Sequence, residues 1–480
     1  VFQPDQFLTR SLRDKPWGND VASILAAAIH AVDPYSAVKE NLRLNAAQLY
    51  IGERRYNLNR IKRVFVLGAG KAGMAMAQAV HDVLGARISA GQVIVKAGQL
   101  QRETRIGAIR IVTAAHPVPD AVSEQAARQL LEIARTARRG DLVITLISGG
   151  GSALLAAPVE GLQLADLQTM SDLLVNCGAH IKEINIVRQQ LDAIKAGGLA
   201  RAASPARVAS LILSDVVGDP LALIASGPTV HTETTHADAL AILEKYELLK
   251  RIPARVRAYL AEPTPPRKSP KRVHNLLVAN NQRAAHAALS QAQSLGYLVK
   301  LRTASLAGEA RLIGQDIAQI WRAIVSAQPD FGHPILLLYG GESAVTLKGD
   351  GVGGRNHELA LAAVSALSGL PNSLLVALAT DGDDGSSGAA GAVVTGKTLA
   401  AARLHNLDPR AYLARNDSFT FFERLGDSIH TGPTGTNVGD LIFCFHFPDP
   451  QSNTEPIPAT LEPETISVQH MPDYSEHPDS

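Results

Sequence analysis

The chain has 480 residues, of which 46% are apolar and only 4% aromatic, and a formal net charge of +1. That length exceeds what one hydrophobic core usually serves, so two domains are expected, and the neutral balance gives no ground for nucleic acid or an anionic membrane as a partner. The two cysteines, Cys177 and Cys444, exclude a disulfide framework and a cysteine-rich zinc site.

The first residues lack the basic-then-apolar pattern of a signal peptide, and no apolar run approaches the roughly 20 residues of a membrane-spanning helix. A cytoplasmic location is the expectation. Asp20 reads as the N-cap of a helix over 20–31. Val64-Phe-Val-Leu67 predicts a buried strand, followed by the turn Gly68-Ala-Gly-Lys-Ala-Gly73 and a helix to about 84. Short strands follow at 93–95 and 109–113, then His116-Pro-Val-Pro-Asp120 and a helix over 121–137. A strong strand over 142–147 runs into Ser148-Gly-Gly-Gly-Ser152. Two helices fill 165–200, and a strand over 208–213 ends at Ser214-Asp215. This alternation predicts an α/β fold with a doubly wound sheet in a larger domain over 1–262. The basic, Pro-rich stretch 263–272 reads as a linker to a smaller α/β domain over 273–447. There the pattern gives a strand at 275–279, helices over 281–295 and 308–327, and a strand at 297–302. The apolar runs on either side of Gly340-Gly341 suggest a bent or hairpin strand pair. The tail 448–480 has seven prolines, seven acidic residues and no Lys or Arg, the composition of a disordered segment.

Five loops could carry chemistry. Gly68-x-Gly70-x-x-Gly73 between strand and helix is the formal dinucleotide fingerprint, but that fingerprint needs an acidic residue about 20 positions on. The second strand ends in Lys96, and no Asp or Glu lies between Asp82 and Glu103. Lys71 inside the turn points instead to an anion at the helix N-terminus; the alternative is a close-packed turn with a surface lysine. In the second loop, Ser148, Gly149, Gly150, Gly151 and Ser152 expose adjacent amides and two hydroxyls, a concavity suited to phosphate. Asp215, at the carboxyl end of a strand, could hold Mg²⁺ or accept a hydroxyl proton, or cap a turn. The fourth, Gly353-Gly-Arg355-Asn356, places a guanidinium at a helix start, which is unfavourable unless an anion compensates. Thr380-Asp381-Gly-Asp-Asp384 clusters three carboxylates without the later ligands of an EF-hand.

Taken in order, these stretches resemble the class II glycerate kinase family, glycerate 2-kinases with a C-terminal MOFRL domain. The resemblance rests on Val66-Leu-Gly-Ala-Gly-Lys71, His116-Pro-Val-Pro-Asp120, Ile147-Ser-Gly-Gly-Gly-Ser152, Glu183-Ile-Asn-Ile-Val-Arg188 and Leu213-Ser-Asp-Val-Val-Gly-Asp-Pro220. Ile224-Ala-Ser-Gly-Pro228, Gly340-Gly-Glu-Ser343, Gly353-Gly-Arg-Asn356, Asn416-Asp-Ser418 and Thr431-Gly-Pro-Thr-Gly-Thr-Asn437 extend it over about 18–446. It implies a Rossmann-like larger domain, a smaller α/β domain, and transfer of a phosphoryl group from ATP, with Mg²⁺, to the 2-hydroxyl of D-glycerate, in an active cleft between the two domains. It further implies Lys71, Asp215 and Arg355 as catalytic residues, the 148–152 loop for the nucleotide phosphates, and His116, Arg188, Lys195 and Asn356 for the substrate. Asp215 and Asp381 would be metal ligands. Lys195-Ala-Gly, His357 and Asp384-Gly-Ser-Ser-Gly388 depart from the family's usual Lys-Gly-Gly, Gln and Asp-Gly-Pro-Thr-Asp, the last losing one carboxylate. Two other readings stay open: an NAD(P)-dependent hydroxy-acid oxidoreductase using Gly68 to Gly73, and a non-catalytic sugar-acid-binding protein. An oligomer is possible on this sequence.

Overall fold

A computed structural model of the chain describes residues 2–98, 104–327 and 331–448; the tail from 449 on, expected to be disordered, lies outside them. The chain forms two units. One is inserted, Pro34–Val278; the other flanks it and is made from the residues up to Asp33 and from Ala279 on. Both differ from the boundaries read in the sequence. The N-terminal 33 residues join the C-terminal half, and the Pro-rich stretch 263–272 is a loop inside the inserted unit, ahead of its edge strand.

The inserted unit begins with the helix Pro34–Asn41, followed by an antiparallel meander that the sequence pattern did not announce: β1 (Leu42–Asn45), β2 (Gln48–Ile51) and β3 (Arg54–Asn57). Its main sheet contains β4 (Val64–Ala69), β5 (Ile88–Lys96), β6 (Thr104–Ile106), β7 (Ile109–Ala114), β8 (Leu142–Ile147), β9 (Arg207–Leu213) and β10 (Val273–Ala279). The strand order is β10-β9-β8-β4-β5-β7-β6. β4 pairs in parallel with β5 and β8, β5 with β7 and β8 with β9, while β6 is antiparallel to β7. Every residue of β4 and β8 is buried, which is why both read as unbroken apolar runs: helices cover the two faces of a parallel sheet. β5 spans nine residues, not the three expected, because Gly91 interrupts its apolar pattern. A Cβ there would come within 2.6 Å of the Val66 carbonyl oxygen. The helix Ala121–Arg135 starts at a capping box in which Asp120 accepts from the Ser123 amide at 2.8 Å. It buries Ala127, Leu130 and Leu131 on the sheet.

The flanking unit holds β11 (Leu298–Glu309), β12 (Ile335–Ala344), β13 (Ser373–Ala379), β14 (Gly391–Thr395), β15 (Ser428–Ile429) and β16 (Asp440–His446), in the order β11-β12-β16-β13-β14-β15. β11 and β12 are parallel; the other pairings are antiparallel. β12 runs straight through Gly340-Gly341, so the expected hairpin is one strand. Gly341 has φ +149° and lies so close to the Leu306 backbone of β11 that no side chain fits. Ile313, Ile317 and Trp321 of the helix Ala310–Ala327 pack on Leu359 and Ala363 of the helix Arg355–Leu367. The N-terminal segment is tied into this unit at several points. The Arg10 amide donates to Gly426 O (2.9 Å), Ser11 donates to Asp427 through its amide and hydroxyl, and Trp17 stacks on Phe447 at 4.1 Å. The helix Gly18–Ala31 lies on the helix Asn281–Ser294. Among the described residues no single helix is long and apolar enough to cross a membrane.

Candidate active site

In the inserted unit the chain leaves β4 toward β5 on one side and returns as β8 on the other. The carboxyl ends of β4 and β8 therefore form a topological switch point, where doubly wound sheets bind ligands. The loops after these two strands are the two glycine-rich loops of the sequence, and they are locked together. The Ser148 hydroxyl accepts from the Ala72 amide at 3.1 Å, and the Lys71 amide donates to Gly149 O at 2.9 Å. Gly70, at φ +143°, passes so close to Ser148 that a Cβ would strike its hydroxyl and carbonyl. The amides of Gly149 and Gly150 donate to no acceptor among the described residues. Asp215, following β9, lies directly against Gly149, where a Cβ would overlap its carboxylate. At Gly150 (φ +78°) a Cβ would lie 3.0 Å from His116 Nε2 and 3.3 Å from Lys71 Cγ. Lys71, His116, Asp215 and the unbonded amides thus share one patch. Burial lowers the His116 pKa, and the charges of Lys71 and Lys96 push the same way, so the ring is neutral at pH 7.

A cavity of about 410 Å³ opens beside this patch, lined by His116, Gly150, Ser152, Arg188 and Lys195 among others. Arg188 makes no ion pair or hydrogen bond among the described residues, and burial lowers its pKa. Lys195 is buried, and its three ammonium protons are all committed, to Ser152 O, Leu155 O and Asp192 Oδ2 at 2.8–2.9 Å. Although the sequence suggested Lys195 as a substrate ligand, here it braces the floor of the loop. Burial lowers its pKa against the pull of Asp192. Two residues that sequence reasoning did not single out finish the support. Ser152 Oγ meets Ser226 Oγ at 2.8 Å, and Ser226 donates to Asn185 Oδ1 at 2.6 Å. Ala225 and Ser226 both have positive φ, backbone strain of the kind that collects at ligand sites. Their signal was present in Ile224-Ala-Ser-Gly, but strain in non-glycine residues cannot be seen in a sequence.

In the flanking unit Arg355 is not a lone cation. Its Nε and Nη2 grip both oxygens of Asp440 at 2.5 and 3.0 Å, and Nη1 meets Glu342 at 2.8 Å. Burial alone would lower the Arg355 pKa, but these carboxylates hold it above its ordinary value. Burial pushes the Asp440 carboxyl up to about 6 despite Arg355. Asp384 accepts from the amides of Asn356 and His357, so it caps the helix from outside and offsets the dipole that Arg355 opposes. Burial would raise its pKa, but the bonds from His357 and Asn356 hold it lower than usual. The Asn356 amide nitrogen donates to Asp384 and to Asp440, which makes this expected substrate ligand a bridge between two carboxylates. His357 Nδ1 lies 2.7 Å from Asp384, while its buried Nε2 has no partner. Asp381 accepts from the Asp383 amide. Among the described residues no three or more Asp, Glu, His or Cys side chains are grouped to hold a metal ion. The loop 348–354 is held by Asn416, which accepts from the amides of Lys348 and Gly349 and donates to Glu358. Asp440, Glu342 and Asn416 were missed as individual residues. The visible hint was a carboxylate heading the apolar strand β16.

Comparison with known proteins fits this geometry. A domain of unknown function, DUF4147, matches residues 20–261, and the MOFRL family matches 335–440. A D-glycerate 2-kinase from Thermotoga maritima is 39% identical over 87% of this chain and 96% of its own length. The chain belongs to the glycerate 2-kinase family. A crystal structure of glycerate kinase from the same organism superposes with a TM-score of 0.78 at 38% identity, covering 88% of this chain and 98% of that one. One member from Agrobacterium vitis, 40% identical over 79% of this chain and 98% of its own, carries a provisional name as a hydroxypyruvate reductase. Within this family fold, the first family model covers the loops that present Lys71, the 148–152 amides and Asp215, and the second covers Arg355 and its carboxylates.

Proposed function

We propose that this chain transfers the terminal phosphoryl group of ATP to the 2-hydroxyl of D-glycerate, giving 2-phosphoglycerate and ADP. One observation carries the reading: Lys71, Asp215 and the unbonded amides of Gly149 and Gly150 meet at the switch point of a parallel sheet. Phosphoryl transfer needs mainly positioning and charge neutralisation, which that patch supplies. The amides hold phosphate oxygens, and Lys71 offsets the negative charge of the transferring group. The 2-hydroxyl oxygen bonds to the γ-phosphorus as the bond to the β,γ-bridging oxygen breaks, and Asp215 takes the hydroxyl proton. Arg188, without a protein anion, pairs with an anionic group of a substrate. In the flanking unit Asp440 fixes the Arg355 plane, while the edge facing the partly exposed Glu342 can exchange that carboxylate for a substrate anion. Lys195 and Asn356 position the site and do not bind substrate.

Magnesium fits as an ion carried in with the nucleotide. It typically takes one or two carboxylates plus substrate phosphates, and Asp215 beside Gly149 is the hard oxygen donor in place. Hydride transfer to a hydroxy acid, the reading that the provisional name of the Agrobacterium relative would suggest, is not favoured. It lacks the carboxylate that would hold a ribose, since β5 ends in Lys96. Phosphorus NMR of the product from ATP and D-glycerate tests the proposal, because it separates 2- from 3-phosphoglycerate. The 2-phospho isomer is expected; the 3-phospho isomer, or no phosphoglycerate, would overturn it.

A further inference from the structure

The cavity beside the patch is larger and more apolar than a three-carbon acid requires. Its volume, about 410 Å³, falls within the range of roughly 300–1,000 Å³ seen for sites that enclose larger organic ligands. Its entrance wall joins two separate elements, the loop after β7 and the helix Leu164–Asn176, tied by a 2.7 Å hydrogen bond from Gln168 to Pro119 O. Each contributes an apolar side chain left open to solvent, Val118 at 52% and Val175 at 60%. Exposed apolar groups gathered at the lining of a cavity are a feature of binding sites. Leu167, Met170 and Val187 add to the apolar lining, and Gly150 and Ser152 of the phosphate loop line the same cavity. A ligand suited to this lining has a largely apolar body and an anionic end at the 148–152 loop.

We infer that this cavity takes the purine and ribose of the nucleotide, with the phosphates running onto the Gly149 and Gly150 amides. The inference rests on the kinase reading above and adds to it the location of the base. The base lies between largely aliphatic walls, since no Phe, Tyr or Trp among the described residues lines the cavity and His116 is its one ring. Gln168 still has its carbonyl oxygen available to a base edge, because its one hydrogen bond is made through nitrogen. Arg188 stands where it can meet a nucleotide phosphate. D-glycerate is then held outside this cavity, on the Lys71 and Asp215 side of the nest.

Two substitutions on the helix Leu164–Asn176 test this: Ser171→Trp, which fills the space, and Val175→Glu, which charges the mouth. Val175 is exposed, so folding should persist in that variant, as checked by its melting temperature. Calorimetric titrations of wild type and both variants use ATP, tripolyphosphate and D-glycerate separately. The expected result is ATP affinity weakened by about tenfold or more, with tripolyphosphate and D-glycerate within about twofold of wild type. Unchanged ATP affinity in both variants overturns the inference. So does an equal loss for tripolyphosphate, which would make the cavity a phosphate site, or a loss for D-glycerate alone, which would make it the acid's site. Failure of the kinase reading would show separately, as absence of 2-phosphoglycerate with the wild-type protein.

Discussion

Lys71 and Arg355 are both cations near helix starts, yet their surroundings give them different tasks. Lys71 is fixed through its own amide to Gly149, so its side chain can be removed without breaking that link. Lys71→Ala should lower kcat by about 10²–10³-fold, the usual loss for one charge-stabilising donor, with the melting temperature unchanged. Near-normal kcat in a folded variant would reduce Lys71 to a surface residue of a turn. Arg355 depends instead on Asp440, whose pKa of about 6 lies above the ordinary carboxylate value. The folded state therefore binds this proton more tightly than the unfolded chain. The group's own contribution to stability rises as pH falls through about 6, opposite to the usual acid behaviour. Protonation neutralises the anion that holds the Arg355 plane, against Asn356, Asp384 and Glu342, which remain. The kcat/KM profile should thus fall on the acid side with an apparent pKa near 6, while Asp440→Asn should lower the plateau and remove that limb. An identical acid limb in the variant would assign the titration to another group, such as the nucleotide phosphates.

The loops and strands show how much could be read in advance. β4 and β8 were clear because burial on both faces leaves only apolar residues, and the glycine loops after them were clear because tight turns need glycine. The three-stranded meander was not, since its burial alternates over only four residues per strand. β12 looked like a hairpin because a pair of glycines marks a turn as readily as a close approach between strands. Of the candidate site, Lys71, the 148–152 loop, His116 and Asp215 were found and lie together. Ser226 and Asp440 were not singled out, because their importance comes from partners 74 and 85 residues away. The structural reason for Gly70 gives a sharp test. Gly70→Ala combines a positive φ with collision against Ser148, whereas Gly161→Ala has a positive φ (+88°) and nothing within 4 Å. Both should lose about 1 kcal/mol or more of stability from backbone strain. Only Gly70→Ala should separate the two loops and weaken ATP binding, and equal ATP affinity in the two variants would show that the loops need not touch.

At the scale of the whole molecule, one unit is threaded into another, with crossings at Asp33–Pro34 and Val278–Ala279. The sequence suggested a simple division at 263–272, because composition marks a Pro-rich loop but not which core the flanking residues enter. The helix Gly18–Ala31 buries Val21, Ile24, Leu25, Ala28 and Ile29 at 0–2% exposure, and it rests on the helix Asn281–Ser294. Fully burying a large aliphatic side chain is worth roughly 1.5–3 kcal/mol, so the large side chains of this face together are worth an amount comparable to the whole stability of an ordinary domain, about 5–15 kcal/mol. The hydrogen bonds from Arg10 and Ser11 to Gly426 and Asp427 would be lost as well, leaving the buried Asp427 without its Ser11 partner. One face of the inserted unit's main sheet has a core drawn from within that unit, including Phe65, Ile94, Leu130, Val143 and Ile147. A fragment of residues 34–278 should therefore melt cooperatively by itself. A fragment of residues 279–448 should not, but should regain a cooperative transition when residues 1–33 are joined to its start by a short Gly-Ser linker. Circular dichroism melts of the three fragments decide it. A cooperative melt of 279–448 alone at the temperature of the joined form would show that the N-terminal helix covers the second core without being needed to form it.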